Sequence, residues 1–190
     1  MQEVKYFYHV VTNRPMEVGQ KISFTEDNQS GVYKRVMEKA ALVEDIYNHP
    51  ENYKQEELDH HTKVALRELA MEEIRQKYYP EYPSRIKSLY VSTDLNDSYM
   101  WANSFMNKGR EVFQIVKLKT TGNSFTGNSY NCFEGTTDKE YNLNESFKYW
   151  DQVIEDESKV INETIIDGEI EVVEIVETLT KPKVYANIKS

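Results

Sequence analysis

NETIIDGEIEVVEIVE, residues 162–177, is the stretch on which the fold turns. Two runs rich in β-branched residues, NETII and EIEVVEIVE, flank Asp167-Gly168, the dipeptide favoured by a two-residue type I′ turn. The reading is a terminal hairpin, and with it antiparallel pairing. Glu171, Glu174 and Glu177 read as an exposed edge of that hairpin.

Working back toward the N-terminus, LNESFKYWDQVI (143–154) reads as a short helix that buries Phe147, Trp150 and Val153. TTGNSFTGNSYN (120–131) reads as a polar connecting loop, and EVFQIVKLKT (111–120) as a strand. Before it, RIKSLYVSTD (85–94) is a strand to Val91, followed by a helix capped by Asp94 or Asn96. That helix uses Leu95, Tyr99, Ala102, Phe105 and Met106, and Gly109 is its natural stop. YYPEYPS (78–84) ends a longer helix over residues 55–78, whose inward residues are Leu58, Ala65, Leu69 and Ile74. Its outer face is assigned Glu56, Lys63, Arg67, Glu68, Glu72 and Glu73. Tyr33, Val36, Met37, Ala40, Ala41 and Tyr47 mark one face of an earlier helix.

The chain opens with a strand at about residues 4–11, containing YFYHVVT (6–12), and a short second extended piece follows. Alternation puts His9 on the face of Phe7 and Val11. The order is strands, helices, then strands with one more helix, which predicts an α+β fold with a mainly antiparallel sheet. The helical block at about 32–80 reads as an insertion within one domain spanning 1–190.

The 190 residues are long enough for one domain with a substantial core, or two small ones. A hydrophobic share of 39% beside 29% charged residues excludes a disordered chain. No apolar run reaches membrane-span length, and the N-terminus lacks a basic-then-apolar signal pattern, so no membrane partner is expected. Cys132, the single cysteine, excludes an internal disulfide and fits a cytoplasmic location. The net charge of −9 argues against non-specific nucleic-acid binding.

Several chemistries fail on spacing. His60 and His61 point about 100° apart on a helix, His49 precedes Pro50 in a loop, and no metal site is expected. Cys132 has no basic neighbour in sequence, and no strand-turn-helix G-x-S-x-G is present. TTGNSFTGNS lacks the Gly-Lys-Ser/Thr ending of a phosphate-binding loop. Read singly, His9 is a neutral core histidine, Tyr90 and Trp101 are equally well core aromatics, and Glu163 is one of an acidic run.

Together, YHVVT (8–12), LYVSTDLNDSYMWA (89–102) and NETIIDGEIEVVEIV (162–176) resemble the His-Tyr-Glu branch of the ADP-ribosyltransferase superfamily, most closely its bacterial members. The first-strand His9, the pattern Tyr90-Val91-Ser92, Trp101 eleven residues after Tyr90, and Glu163 opening a late strand occur in the family's order. The resemblance implies a split, mainly antiparallel sheet around a cleft, with NAD as substrate. It implies catalytic roles for Glu163, His9 and Tyr90, and cofactor contacts from His9, Val10, Thr12, Tyr90, Ser92 and Trp101, with no metal.

Two positions depart from the pattern. Val10 stands where the family often has glycine, and Ile161 stands where arginine- or asparagine-directed members carry Glu or Gln.

The implied reaction is ADP-ribosyl transfer or NAD hydrolysis, with Glu163 stabilising an oxocarbenium-like transition state and His9 donating to the ribose. The acceptor is open: protein, nucleic acid, small molecule or water. The acidity of the acceptor loop, at about 155–162, favours a cationic or neutral one. The competing reading is an inactive binding or regulatory module on the same scaffold.

Overall fold

Residues 162–177 form two strands, β6 (Asn162–Ile166) and β7 (Ile170–Thr178), but these strands do not pair with each other. The computed structural model describes residues 3–25 and 28–179. In it β6 is the centre of a three-stranded sheet between β3 (Leu89–Val91) and β5 (Ser124–Asn128). β7 lies in a four-stranded sheet of order β1-β4-β7-β2, with β1 at Lys5–Val11, β2 at Lys21–Ile22 and β4 at Gln114–Thr120. All pairings are antiparallel, so the fold is α+β with two antiparallel sheets.

The expected hairpin is therefore corrected: Asp167-Gly168 carries the chain from one sheet to the other. Gly168 has the positive φ of 78° such a turn requires. The β4–β5 connection switches sheets in the same place, and the two crossings are tied together. Thr120 Oγ1 donates to the Asp167 carbonyl at 3.1 Å or the Glu169 carbonyl at 2.9 Å, and the Asn123 N–H donates to Asp167 Oδ1 at 2.7 Å. A Cβ on Gly122 would stand 2.2 Å from the Asp167 carbonyl oxygen, so only glycine permits this approach.

The sheets meet again at their other end. Tyr8 and Ser92 exchange backbone hydrogen bonds of 2.8 and 2.7 Å, linking β1 to the end of β3. Phe7, Val11, Val116, Leu118, Ile166, Ile170 and Val172 form one continuous apolar cluster contributed by both sheets.

Helices cover the outer faces. α4 (Leu95–Asn107), capped by the Asp94 side chain, packs Ala102 against Val10 and Ile115. α5 (Lys139–Trp150) and α3 (His60–Tyr78) bury Tyr149, Trp150, Met71 and Ile74 against Phe125 and Ile165.

The helical block departs from expectation in three ways. The first helix is two, α1 (Gly31–Met37) and α2 (Ala40–Asn48). The long helix begins only at His60, because the Asp59 side chain caps it by accepting from the Thr62 N–H. Glu68 and Glu72, assigned to its outer face, are buried, since α3 is enclosed by α1, α2, α5 and the 3-10 turn Arg85–Lys87.

Residues 124–128, expected as loop, are strand β5. In α5 Phe147 is half-buried, while Tyr149 joins Trp150 inside. Glu171 and Glu177 are half-buried rather than exposed: Glu171 pairs with Lys119, and Glu177 accepts from the Tyr99 hydroxyl at 2.7 Å.

Candidate functional site

Where the two sheets diverge beyond the Tyr8–Ser92 link, a cleft of about 610 Å³ opens, within the range of small-molecule sites. His9, Val10, Thr12, Tyr90, Ser92, Trp101 and Glu163 all line it. Four elements, from three stretches distant in sequence, thus converge on one cavity. Each arrives by a distinct route: β1 carries His9 and Val10, the β3 end carries Tyr90 and Ser92, α4 carries Trp101, and β6 opens with Glu163.

His9 bridges the sheets. Its Nδ1 donates to the Tyr90 carbonyl at 2.8 Å, a bond that fixes the tautomer because a carbonyl only accepts. Burial lowers the imidazole's pKa, and the bond to Tyr90 only partly opposes this. A neutral ring with hydrogen on Nδ1 leaves Nε2 as an acceptor. This corrects the donor role expected for His9: a ligand hydroxyl would donate to it.

Val10 turns its side chain away, into the cluster with Ala102 and Ile115. Its backbone is what the cleft sees. β1 is the outer strand of its sheet; Tyr8 bonds outward to Ser92, and strand alternation sends the Val10 N–H and C=O to the same edge. The Trp101 indole N–H donates to the Asn162 carbonyl at 3.3 Å, placing that ring beside Glu163. Ser88 Oγ, also on the cleft wall, is a buried side-chain oxygen without a hydrogen-bond partner among the described residues.

Glu163 is held by groups that sequence reasoning missed. Arg85 Nη1, the Tyr149 hydroxyl at 3.0 Å and the Cys132 thiol at 3.9 Å all donate to the same oxygen, Oε1. Among the described residues no protein group donates to Oε2, so the carboxylate is anchored by one oxygen. Arg85 is itself buried and fixed from behind by Glu68, with bonds of 2.9 and 3.2 Å. Glu68 also accepts from Arg67 at 2.9 and 3.0 Å. Burial alone would raise the pKa of Glu68, but Arg85 and Arg67 outweigh it and hold the group at about 2.

The Arg85 guanidinium also lies over the rings of Tyr149 (4.4 Å) and Tyr90 (5.6 Å). Burial pushes both phenols well above their ordinary range, and it pushes the Cys132 thiol up to about 12. These groups keep their protons, and Tyr149 and Cys132 donate theirs to Glu163. No local signal in sequence reveals Arg85 or Tyr149 as partners of Glu163, because the contacts span 78 and 14 residues.

The charge of the cleft opposes that of the chain. Among the described residues, Arg14, Lys21, Arg35 and Arg110 line it, and Glu163 is the one acidic side chain that does. Lys21 is engaged by Glu169, and Arg110 donates to Thr12 Oγ1 at 3.0 Å. Arg14 and Arg35 have no ion pair or hydrogen bond among the described residues. The arrangement suits an anionic ligand with an apolar or aromatic portion. No group of three or more His, Cys, Asp or Glu is placed to hold a metal among the described residues, nor is any helix long and apolar enough to cross a membrane.

No curated protein matches the chain. A family whose description is "Protein of unknown function (DUF2441)" matches residues 7–178, a span that takes in most of β1, the helical block, the cleft and both strands of residues 162–177, and the chain belongs to that family.

Proposed function

We propose that the protein breaks the nicotinamide–ribose bond of NAD, as an ADP-ribosyltransferase or NAD glycohydrolase, within an ADP-ribosyltransferase-like fold. The observation that carries the reading is the convergence of His9, Tyr90, Trp101 and Glu163 on one cleft with a predominantly basic lining. The outer Val10 peptide edge, without a backbone partner among the described residues, suits a carboxamide, which both donates and accepts. Trp101 and Tyr90 supply aromatic faces for a pyridinium ring. The basic lining suits a pyrophosphate.

In this reading, bond cleavage builds positive charge on the ribose, and a fixed carboxylate stabilises that charge more in the transition state than in the ground state. Anchoring through Oε1 leaves Oε2 for the ribose, while His9 Nε2 accepts from a ribose hydroxyl. The positive charge of Arg85 beside Glu163 weakens the carboxylate's field, and this observation favours a second reading: a nucleotide-binding module without turnover.

One experiment separates the two. Nicotinamide release from NAD is followed by NMR, beside NAD binding by thermal shift. Release by the wild type that falls ~10²-fold or more in Glu163→Gln, with NAD binding retained, supports the enzyme. Binding without release supports the module, and neither binding nor release overturns both readings.

A further inference from the structure

A second cavity, of about 230 Å³, lies beside the cleft and shares with it Glu163, Tyr90 and Arg35. It runs between α1, α3 and the Arg85 turn. Its remaining wall includes His61, Arg67 and Arg85. Its two carboxylates, Glu68 and Glu163, are both held by guanidiniums. Arg35, between the two cavities, is a guanidinium without a protein partner among the described residues. A fork of free N–H donors facing a small pocket recognises an oxyanion. We propose that this cavity receives the acceptor of the transfer reaction, and that the acceptor presents an oxyanion, a carboxylate or a phosphate, to Arg35.

The proposal rests on the NAD-cleaving reading of the adjoining cleft and adds the acceptor class to it. It departs from the cationic or neutral acceptor expected from the acidic residues 155–162, which do not line this cavity. An acceptor that already carries negative charge needs no general base. The groups touching Glu163 offer none, since Arg85, Tyr149 and Cys132 are all donors.

The step balances without a further reactant. A lone pair of the acceptor oxygen forms the bond to the ribose anomeric carbon as the carbon–nitrogen bond to nicotinamide breaks. The electrons of that bond leave on the nicotinamide nitrogen, which loses its positive charge. No proton is transferred, and nothing is oxidised or reduced.

The test uses the full chain and inorganic phosphate, titrated calorimetrically into the wild type, Arg35→Gln, Val64→Phe and Arg14→Gln. Val64 lines this cavity and not the cleft, whereas Arg14 lines only the cleft. The expected result is a tenfold or greater loss of phosphate affinity in Arg35→Gln and Val64→Phe, and a smaller loss in Arg14→Gln. No phosphate binding by the wild type, or loss confined to Arg14→Gln, overturns the proposal.

NMR of the products formed from NAD with added phosphate or acetate then reads the acceptor role. An anomeric phosphate ester or acetate ester, formed at the expense of free ADP-ribose, names the source of the oxyanion. Free ADP-ribose alone with both overturns the acceptor role. Phosphate binding that maps to this cavity, without any nicotinamide release, overturns the NAD reading instead and leaves an anion site.

Discussion

At the scale of single residues, His9 shows what burial and one hydrogen bond decide. The strand pattern made a histidine on an apolar face legible, but its role depends on Nδ1 meeting the Tyr90 carbonyl, a contact 81 residues away in sequence. Because its folded pKa is lowered, the folded state binds fewer protons than the unfolded state below about pH 6.5. The stability contribution of neutral His9 is therefore fully present above that pH and is lost as pH falls toward the folded pKa. An NMR titration should place the His9 midpoint below the ordinary imidazole value, and His9→Gln should flatten the loss of denaturant stability between about pH 6.5 and 5. A midpoint at or above the ordinary value would remove the acceptor assignment of Nε2. Glu68 has the same sign from a different cause: its depressed pKa contributes stability that is present above the ordinary carboxylate range and lost progressively as pH falls toward about 2.

At the scale of elements, α3 and β5 are where sequence and structure part. Periodicity sorts residues by polarity, and the charges of α3 therefore looked solvated. They are inside because Arg67 and Arg85 are balanced by Glu68 and Glu163, and no helical repeat encodes a partner on a different element. Removing Arg85 leaves Glu163 without a cation and Glu68 with Arg67 alone, so Arg85→Ala should cost about 3–5 kcal/mol in urea unfolding. Glu68→Gln in that background should recover part of the loss, and additivity of the two changes would show that they do not form one unit. β5 escaped notice because it carries glycine and polar residues, yet Gly127 is what lets Tyr149 reach Glu163: a Cβ there would lie 2.8 Å from the Tyr149 ring. Gly127→Ala should therefore displace the ring, at about 1–3 kcal/mol of stability, and lower nicotinamide release along with it. Unchanged stability and unchanged release would show that Tyr149 does not depend on that close approach.

At the scale of the whole molecule, the elements that carry His9, Tyr90, Trp101 and Glu163 were legible because each shows a strand or helix pattern in sequence. The division of the sheet at Asp167-Gly168 was not, since a turn dipeptide fixes a change of direction and not the partner of the strand that follows. That division is what opens a cleft, and it places basic side chains there in a chain of net charge −9. The two fields act at different ranges. A phosphate about 4 Å from a guanidinium gains roughly 4 kcal/mol at an effective dielectric of about 20, whereas surface acids beyond about 8 Å are largely screened at physiological salt. The near field wins, so NAD affinity should fall as salt rises from about 50 to 500 mM. Arg14→Glu should weaken binding by tenfold or more at low salt and flatten that salt dependence. Calorimetric titrations of both proteins across the salt series test this directly. Affinity that rises with salt would mean that the acidic surface, and not the cleft, governs the approach of an anion.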